Sequence, residues 1–144
     1  MNAHHYETML PSRICRVIIA LLASAGLAVA GYLFYTSFTA TGPIGCGEDS
    51  GCGAVLSSRW ASVLGVPVSL PAGIVYLIII ASMVTISGAS SKTRSAIWIL
   101  LSLLAFAILG SAVWFIGLQI FHLGEICPWC MTEHSIGILC AGLI

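Results

Sequence analysis

The sequence predicts an all-α integral membrane protein: a four-transmembrane-helix bundle with a short interfacial helix in the external loop. Three observations carry this. Of 144 residues, 59% are apolar and 7% are charged, with mean hydropathy +1.07, whereas soluble domains carry about 25% charged residues. Runs without a formal charge occupy residues 17–47, 60–91, 95–124 and 134–144, and roughly 20 apolar residues cross the hydrocarbon of a bilayer. The cationic residues fall where one face of a membrane can collect them. The same composition excludes a disordered chain, and five Lys plus Arg cannot build a nucleic-acid-binding face. Net charge is zero, so no bulk electrostatic partner is implied.

The first helix is read over about 14–38. A signal peptide competes for this stretch, because Arg13 and Arg16 precede it and Ala28-Val29-Ala30 resembles a cleavage site. Apolar sequence continuing through Gly31-Tyr32-Leu33-Phe34-Tyr35 favours the membrane helix. The second helix is expected over 68–87, the third over 95–120 and the fourth over 127–144, since the last uncharged run spans a bilayer only if it starts near Cys127. Arg13 and Arg16 flank the first helix, while Lys92 and Arg94 follow the link Ser87-Gly88-Ala89-Ser90-Ser91. Two crossings separate these clusters, so both face the cytoplasm, as cationic loops do. Both termini are then inside, and Arg59 is the cation of the external loops.

An external loop with its interfacial helix is expected over 39–67. Val55, Leu56, Trp60, Val63 and Leu64 recur at helical-face spacing, with Ser57, Ser58 and Ser62 among them. Trp60 suits the headgroup level, and Ser50 or Asp49 could cap the start. Pro67 and Pro71 punctuate the approach to the second helix. No repeat or linker is visible, so residues 1–144 are read as one domain.

This topology sorts the six cysteines. Cys15 lies beside the cytoplasmic arginines. Cys140 stands 13 residues past Cys127, which is roughly 20 Å deeper at about 1.5 Å per residue. Cys46, Cys52, Cys127 and Cys130 remain, all on the external side, where disulfides persist. Cys127-Pro128-Trp129-Cys130 opens a helix, with Pro128 in the first turn, where its missing N–H costs nothing. The helix N-terminus stabilises a thiolate, the reactive form. Structural zinc is the alternative, completed by Cys46 and Cys52 or by His122 and His134. Long apolar spans beside an external dithiol favour redox chemistry. In Cys46-Gly47-Glu48-Asp49-Ser50-Gly51-Cys52, the internal glycines and Gly45 make a pliant loop. Such a loop suits thiols that meet a soluble partner and then Cys127, since exchange requires sulfur contact. Cys52 is the better placed to reach Cys127. A permanent loop disulfide is the structural alternative.

The ordered set of Cys46, Cys52-Gly53-Ala54-Val55-Leu56-Ser57-Ser58-Arg59-Trp60 and Cys127-Pro128-Trp129-Cys130 resembles the vitamin K epoxide reductase (VKOR) family, bacterial type, across essentially the whole chain. The resemblance implies a four-helix bundle around a quinone site. It implies that Cys46 and Cys52 shuttle electrons, that Cys52 attacks Cys127, and that Cys130 faces the quinone. Ser58 resembles the family's serine beside the active centre. His134 follows Cys130 at i+4 on the same helix face, where it could donate to a quinone oxygen, stabilise the nearby thiolate, or simply bond a neighbouring carbonyl. Ser58 and His134 are therefore the candidate quinone-binding residues. The expected acceptor is ubiquinone, menaquinone or a vitamin K-like quinone, with no metal, and the expected partner is a thioredoxin-like protein or domain.

Glu125 and Glu133 are expected as rim charges in water, and Trp98, Trp114, Phe106 and Phe115 are assigned no site role. The loop spacing is shorter than in animal enzymes. His134 stands where they have tyrosine, and Val66-Pro67-Val68-Ser69 replaces their asparagine-bearing segment. This favours quinone reduction supporting disulfide formation in exported proteins, at the extracytoplasmic face of a bacterial inner membrane. The alternatives are vitamin K quinone/epoxide reduction, and a non-enzymatic membrane adaptor with structural cysteines. Many bacterial members continue into a further helix and a thioredoxin-like domain, so the chain ending at Ile144 is either a stand-alone form or a piece of a longer one.

Overall fold

The computed structural model describes residues 12–39, 42–46 and 50–144. Its elements in order are α1 (Arg13–Thr36), α2 (Gly51–Leu56), the strands β1 (Ser62–Val63) and β2 (Val66–Pro67), α3 (Ser69–Thr85), α4 (Ser91–Gly117) and α5 (Pro128–Leu143). A π-helical turn, Leu118–Leu123, continues α4. By length and composition, Arg13–Thr36 and Ser91–Leu123 are sufficient to cross a membrane, and Ser69–Thr85 is a shorter apolar helix.

Caps set the helix starts. The Ser12 hydroxyl accepts from the Cys15 N–H at 3.2 Å, and the Ser90 hydroxyl accepts from the Thr93 N–H at 3.3 Å, each satisfying a donor that the first turn leaves free. The second cap draws Lys92 and Arg94 into α4, which therefore begins four residues before the expected 95. At its other end the π-turn closes on Gly124, whose φ of 66° is a left-handed conformation that glycine adopts without penalty.

The buried positions of α1 (Ile19, Ala23, Gly26, Ala30 and Leu33) repeat at intervals of three and four, forming one stripe. Small residues in it let α3 come close. The Tyr76 ring lies against Gly26, where any Cβ would intrude on it, and Gly73 meets Leu27 and Ala30 at ordinary contact distances. Close backbone approach through small residues is how helices associate in lipid, where apolar burial alone gives no drive. α1 packs on α3 and α5, and α5 packs on α4. Ile19, Ala23, Tyr76, Ile79, Met83, Leu101 and Cys140 form the shared core. Ile14, Leu21, Val84, Leu103, Phe106 and Val113 point outward and exposed, as expected of surfaces that meet lipid rather than water.

Two contacts fix the up-and-down order. An Arg16 guanidinium N–H donates to the Ser87 hydroxyl, and the Cys15 thiol reaches the Leu143 carbonyl at 3.9 Å. The start of α1, the ends of α3 and α5 and the cationic start of α4 therefore share one end. Cys46, Cys52, Cys127 and Cys130 lie at the other.

The expected interfacial helix is cut short. It stops at Leu56, where the Ser57 and Ser58 hydroxyls donate back to the Gly53 and Val55 carbonyls, each at 2.7 Å, competing with the next helical turn. Beyond it, Ser62 pairs with Pro67 and Val63 with Val66 in an antiparallel hairpin. Leu64 (φ 54°) and Gly65 (φ 82°) form its two-residue turn, the positive-φ turn that matches strand twist. The apolar spacing of Val63 and Leu64 belongs to this hairpin, and Leu64 at its tip is 99% exposed. Ser50 occupies the N-cap position of α2. Asp49, the other capping candidate, lies outside the described residues, as do Gly47 and Glu48.

Candidate active site

Cys127 is held extended as the N-cap of α5, with Pro128 in the first turn. Its sulfur accepts the Cys130 backbone N–H at 3.2 Å, and its own N–H donates to Gln119 Oε1 at 2.8 Å. Gln119 is 2% exposed and sits on the π-turn, whose wider coil faces it toward the start of α5. Cys127 precedes the helix that begins at Pro128. The hydrogen bond from the Cys130 thiol, with help from the first-turn N–H groups, lowers it from its ordinary 9.0 to about 7 despite burial. A thiol so placed is part thiolate near neutrality and leaves readily in exchange.

Cys46 and Cys52 are joined by a disulfide, with Cα atoms 5.7 Å apart, while Cys127 and Cys130 are free thiols. Cys52 and Cys127, each 0% exposed, share one buried cluster with Val55, against which Cys46, Leu123, Trp129 and Cys130 pack. The juxtaposition depends on Gly51. A Cβ there would stand 2.7 Å from both the backbone N and O of Ile126, the residue before Cys127. Only glycine lets α2 lie this close to the lead-in of α5.

A second clasp holds the Cys46 side. The Trp129 indole N–H donates to the Ile44 carbonyl at 2.9 Å, and the Ile44 N–H donates to the Tyr32 hydroxyl at 2.8 Å. The Tyr32 and Trp129 rings lie 4.8 Å apart. The Cys46 N–H closes a turn onto the Pro43 carbonyl at 3.0 Å, with Gly45 in the left-handed region (φ 81°). The middle residue of the C-x-x-C motif thus tethers the loop that carries the other pair.

Below these sulfurs lies a cavity of about 810 Å³, among whose lining residues are Cys46, Cys130, Ser58, Trp60, Phe115, Glu133 and His134. It falls within the range of ligand cavities, about 300–1,000 Å³. Ser58 lines it, though its hydroxyl is engaged by the Val55 carbonyl. His134 lines it and stacks on Phe115 at 5.9 Å with rings 11° apart. Phe115, assigned no role from sequence, is therefore a wall residue, and no local sequence signal marks it. Trp60 sits in the wall with its indole N–H buried and unpartnered, edge-on to Trp114 (5.8 Å) and His122 (6.2 Å) and beneath Arg59. The expectation of Glu133 as a rim charge is corrected. It is 9% exposed, lines the cavity, and both carboxyl oxygens are buried without a hydrogen-bond partner. The i+3 step from Cys130 turns it inward with that cysteine rather than outward to water.

Among the described residues no three or more His, Cys, Asp or Glu side chains converge as a metal site, and Cys46 and Cys52, the thiols of one of the two zinc sets considered, are joined to each other. The sequence model of the vitamin K epoxide reductase family matches residues 17–144.

Proposed function

The chain belongs to the vitamin K epoxide reductase family, which makes it a membrane protein of the disulfide/quinone oxidoreductase kind, and from that premise we propose that it oxidises a thioredoxin-like partner and reduces a quinone. The quinone is the substrate that accepts the electrons. Four helices, α1, α3, α4 and α5, cross the membrane as one domain, with the cationic end in the cytoplasm. The cysteine end faces the extracytoplasmic side of a bacterial inner membrane, where the partner's oxidation supports disulfide formation in exported proteins.

The cavity suits a quinone. Its walls are largely apolar side chains, which fit a ring that partitions into lipid. Its orphaned polar groups, the Trp60 N–H and the Glu133 carboxyl, are what carbonyl oxygens can engage. Ser58 and His134 border the same space.

The proposed relay runs inward. The reduced partner attacks the Cys46–Cys52 disulfide at Cys46, and a second thiol of the partner resolves that mixed disulfide, leaving two reduced loop cysteines. The Cys52 thiolate then attacks Cys127 of a Cys127–Cys130 disulfide, expelling the Cys130 thiolate. Cys46 attacks Cys52 of the mixed disulfide, expelling Cys127, whose low basicity suits it as a leaving group. The inner dithiol finally becomes a disulfide while the quinone takes up two electrons and two protons as quinol. In this scheme the stage before that last step has the outer pair bridged and the inner pair reduced, a pattern with which the bonding in the structure is compatible.

One observation carries this reading: Cys52 and Cys127 share a buried cluster at the mouth of a cavity that Cys130 lines. The test is menadione-dependent oxidation of a reduced thioredoxin-like protein by the purified chain. Cys130→Ala should abolish turnover. Cys46→Ala should block the protein donor yet leave turnover with dithiothreitol. Full activity in Cys130→Ala would end the proposal.

A further inference from the structure

Quinone reduction needs protons as well as electrons, and a lipid-embedded cavity must bring them. Glu133 is the buried carboxyl in the wall of this one, a single helical turn from Cys130. Both its oxygens are buried without a hydrogen-bond partner. Buried polar groups are nearly always satisfied, and a carboxyl serving only structure would be expected to hold a donor. The Tyr76 hydroxyl donates to the Glu133 backbone carbonyl at 3.4 Å and lies close enough to interact with the carboxyl as well; the carboxyl otherwise faces the cavity. Ionisable groups at membrane depth that face a cavity mark proton pathways.

We infer that Glu133 is the catalytic proton carrier of this cavity, giving a proton from its carboxyl to a quinone oxygen and recovering one from the Cys127/Cys130 dithiol. The inference rests on the quinone-reductase reading above. The balance closes. Two thiols become one disulfide and release two electrons and two protons. The quinone takes up both electrons and both protons, and Glu133 ends in the form in which it began. The titratable groups that share its surroundings are Tyr76 from α3 and Cys130, His134 and Cys140 from α5. Among the described residues α1, α4 and the π-turn present uncharged groups to the cavity, such as Thr36, Ser111 and Gln119. His134 is therefore the rival carrier.

The experiment uses the purified chain in detergent with menadione as acceptor and dithiothreitol as donor, comparing wild type, E133Q, E133D and H134Q. Loss of a positioned proton donor costs about 10²–10⁴-fold in rate, so E133Q should fall about a hundredfold in kcat with KM for menadione little changed. E133D should recover part of the loss. A second readout is independent of turnover. Alkylation and peptide mapping should show dithiothreitol still reducing Cys127–Cys130 in E133Q, with menadione then failing to reoxidise it. A third uses wild type alone, so it stands even if E133Q folds poorly. The infrared difference spectrum on menadione reduction should contain a carboxyl C=O band. Unchanged kcat in a folded E133Q, loss of activity in H134Q with E133Q intact, or no carboxyl band in wild type would each overturn the inference while leaving the relay standing. Wild type that does not reduce menadione at all would overturn the relay, and this inference with it.

Discussion

Replacing Gly51 by alanine probes whether two backbones must touch for the two cysteine pairs to exchange. The new Cβ would stand 2.7 Å from the N and O of Ile126, against 3.4 Å for ordinary contact, so α2 must retreat by about 0.7 Å from the residue that leads into Cys127. Both obstructing atoms are backbone, and no rotamer change relieves them. Misplacement on the order of 1 Å can cost about a hundredfold in a positioned reaction, so a loss of about tenfold is expected, equivalent to about 1.4 kcal/mol. The assay is the effective molarity of the Cys52–Cys127 bond, read against a glutathione redox buffer in a Cys46→Ala, Cys130→Ala background. Gly53→Ala is the control, because a Cβ there meets nothing within 4 Å, and alanine in place of a helical glycine stabilises α2 by about 1 kcal/mol. Equal effective molarities in Gly51→Ala and Gly53→Ala would refute the reasoning.

Gln119→Leu removes the acceptor of the Cys127 N–H, and an orphaned buried donor costs about 1–3 kcal/mol; thermal unfolding in detergent should show that loss, whereas Gln119→Glu, which keeps an acceptor, should lose less. Carbamidomethylation of Cys127, followed by mass spectrometry, should speed up as pH rises through about 7, because the thiolate reacts and the Cys130 thiol hydrogen bond holds it there; in Cys130→Ala the midpoint should move up toward 9.0, and an unmoved midpoint would contradict that cause. Trp129→Phe deletes the hydrogen bond to Ile44 while keeping the ring against Tyr32, so oxidation of a protein donor should slow several-fold while dithiothreitol turnover holds. With dithiothreitol as the common reductant, the wild type should consume quinone faster than epoxide; equal rates would favour the epoxide reductase alternative.

Much of the architecture is visible in the sequence because a bilayer enforces simple rules. The uncharged runs that follow Arg16, Arg59 and Arg94 must go somewhere apolar, and their lengths leave little besides helices. The pairing of Arg16 with Ser87 at the end opposite the cysteines follows the same charge pattern. What the pattern missed is short-range. Val63 and Leu64 read as a helical face, but Leu64-Gly65 turns the chain into a hairpin, and a five-residue apolar pattern cannot distinguish the two. Ser90, not the first apolar residue, starts α4, because a cap needs a hydroxyl and not a hydropathy value.

At the site, cysteine spacing marks the C-x-x-C and its helix start, since Pro128 and the N-cap act locally. The roles of Gly51, Gln119 and Phe115 depend on which element comes to lie beside α5, and nothing in their neighbours' identities announces it. Glu133 was misjudged for the same reason. A carboxyl near a helix start reads as a charge in water until the i+3 relation to Cys130 is combined with the cavity on that face.

The central claim is that electrons reach the quinone from the inner pair and are replenished from the outer one through Cys52 and Cys127. Time-resolved mapping tests it directly: the chain is fully reduced, menadione is added, and samples are acid-quenched, alkylated and mapped for bridged peptides. The account predicts that the 127–130 bridge appears first, the 52–127 bridge transiently, and the 46–52 bridge last. A 46–52 bridge that forms before any 127–130 or 52–127 bridge, or that forms equally fast in Cys127→Ser, would contradict it.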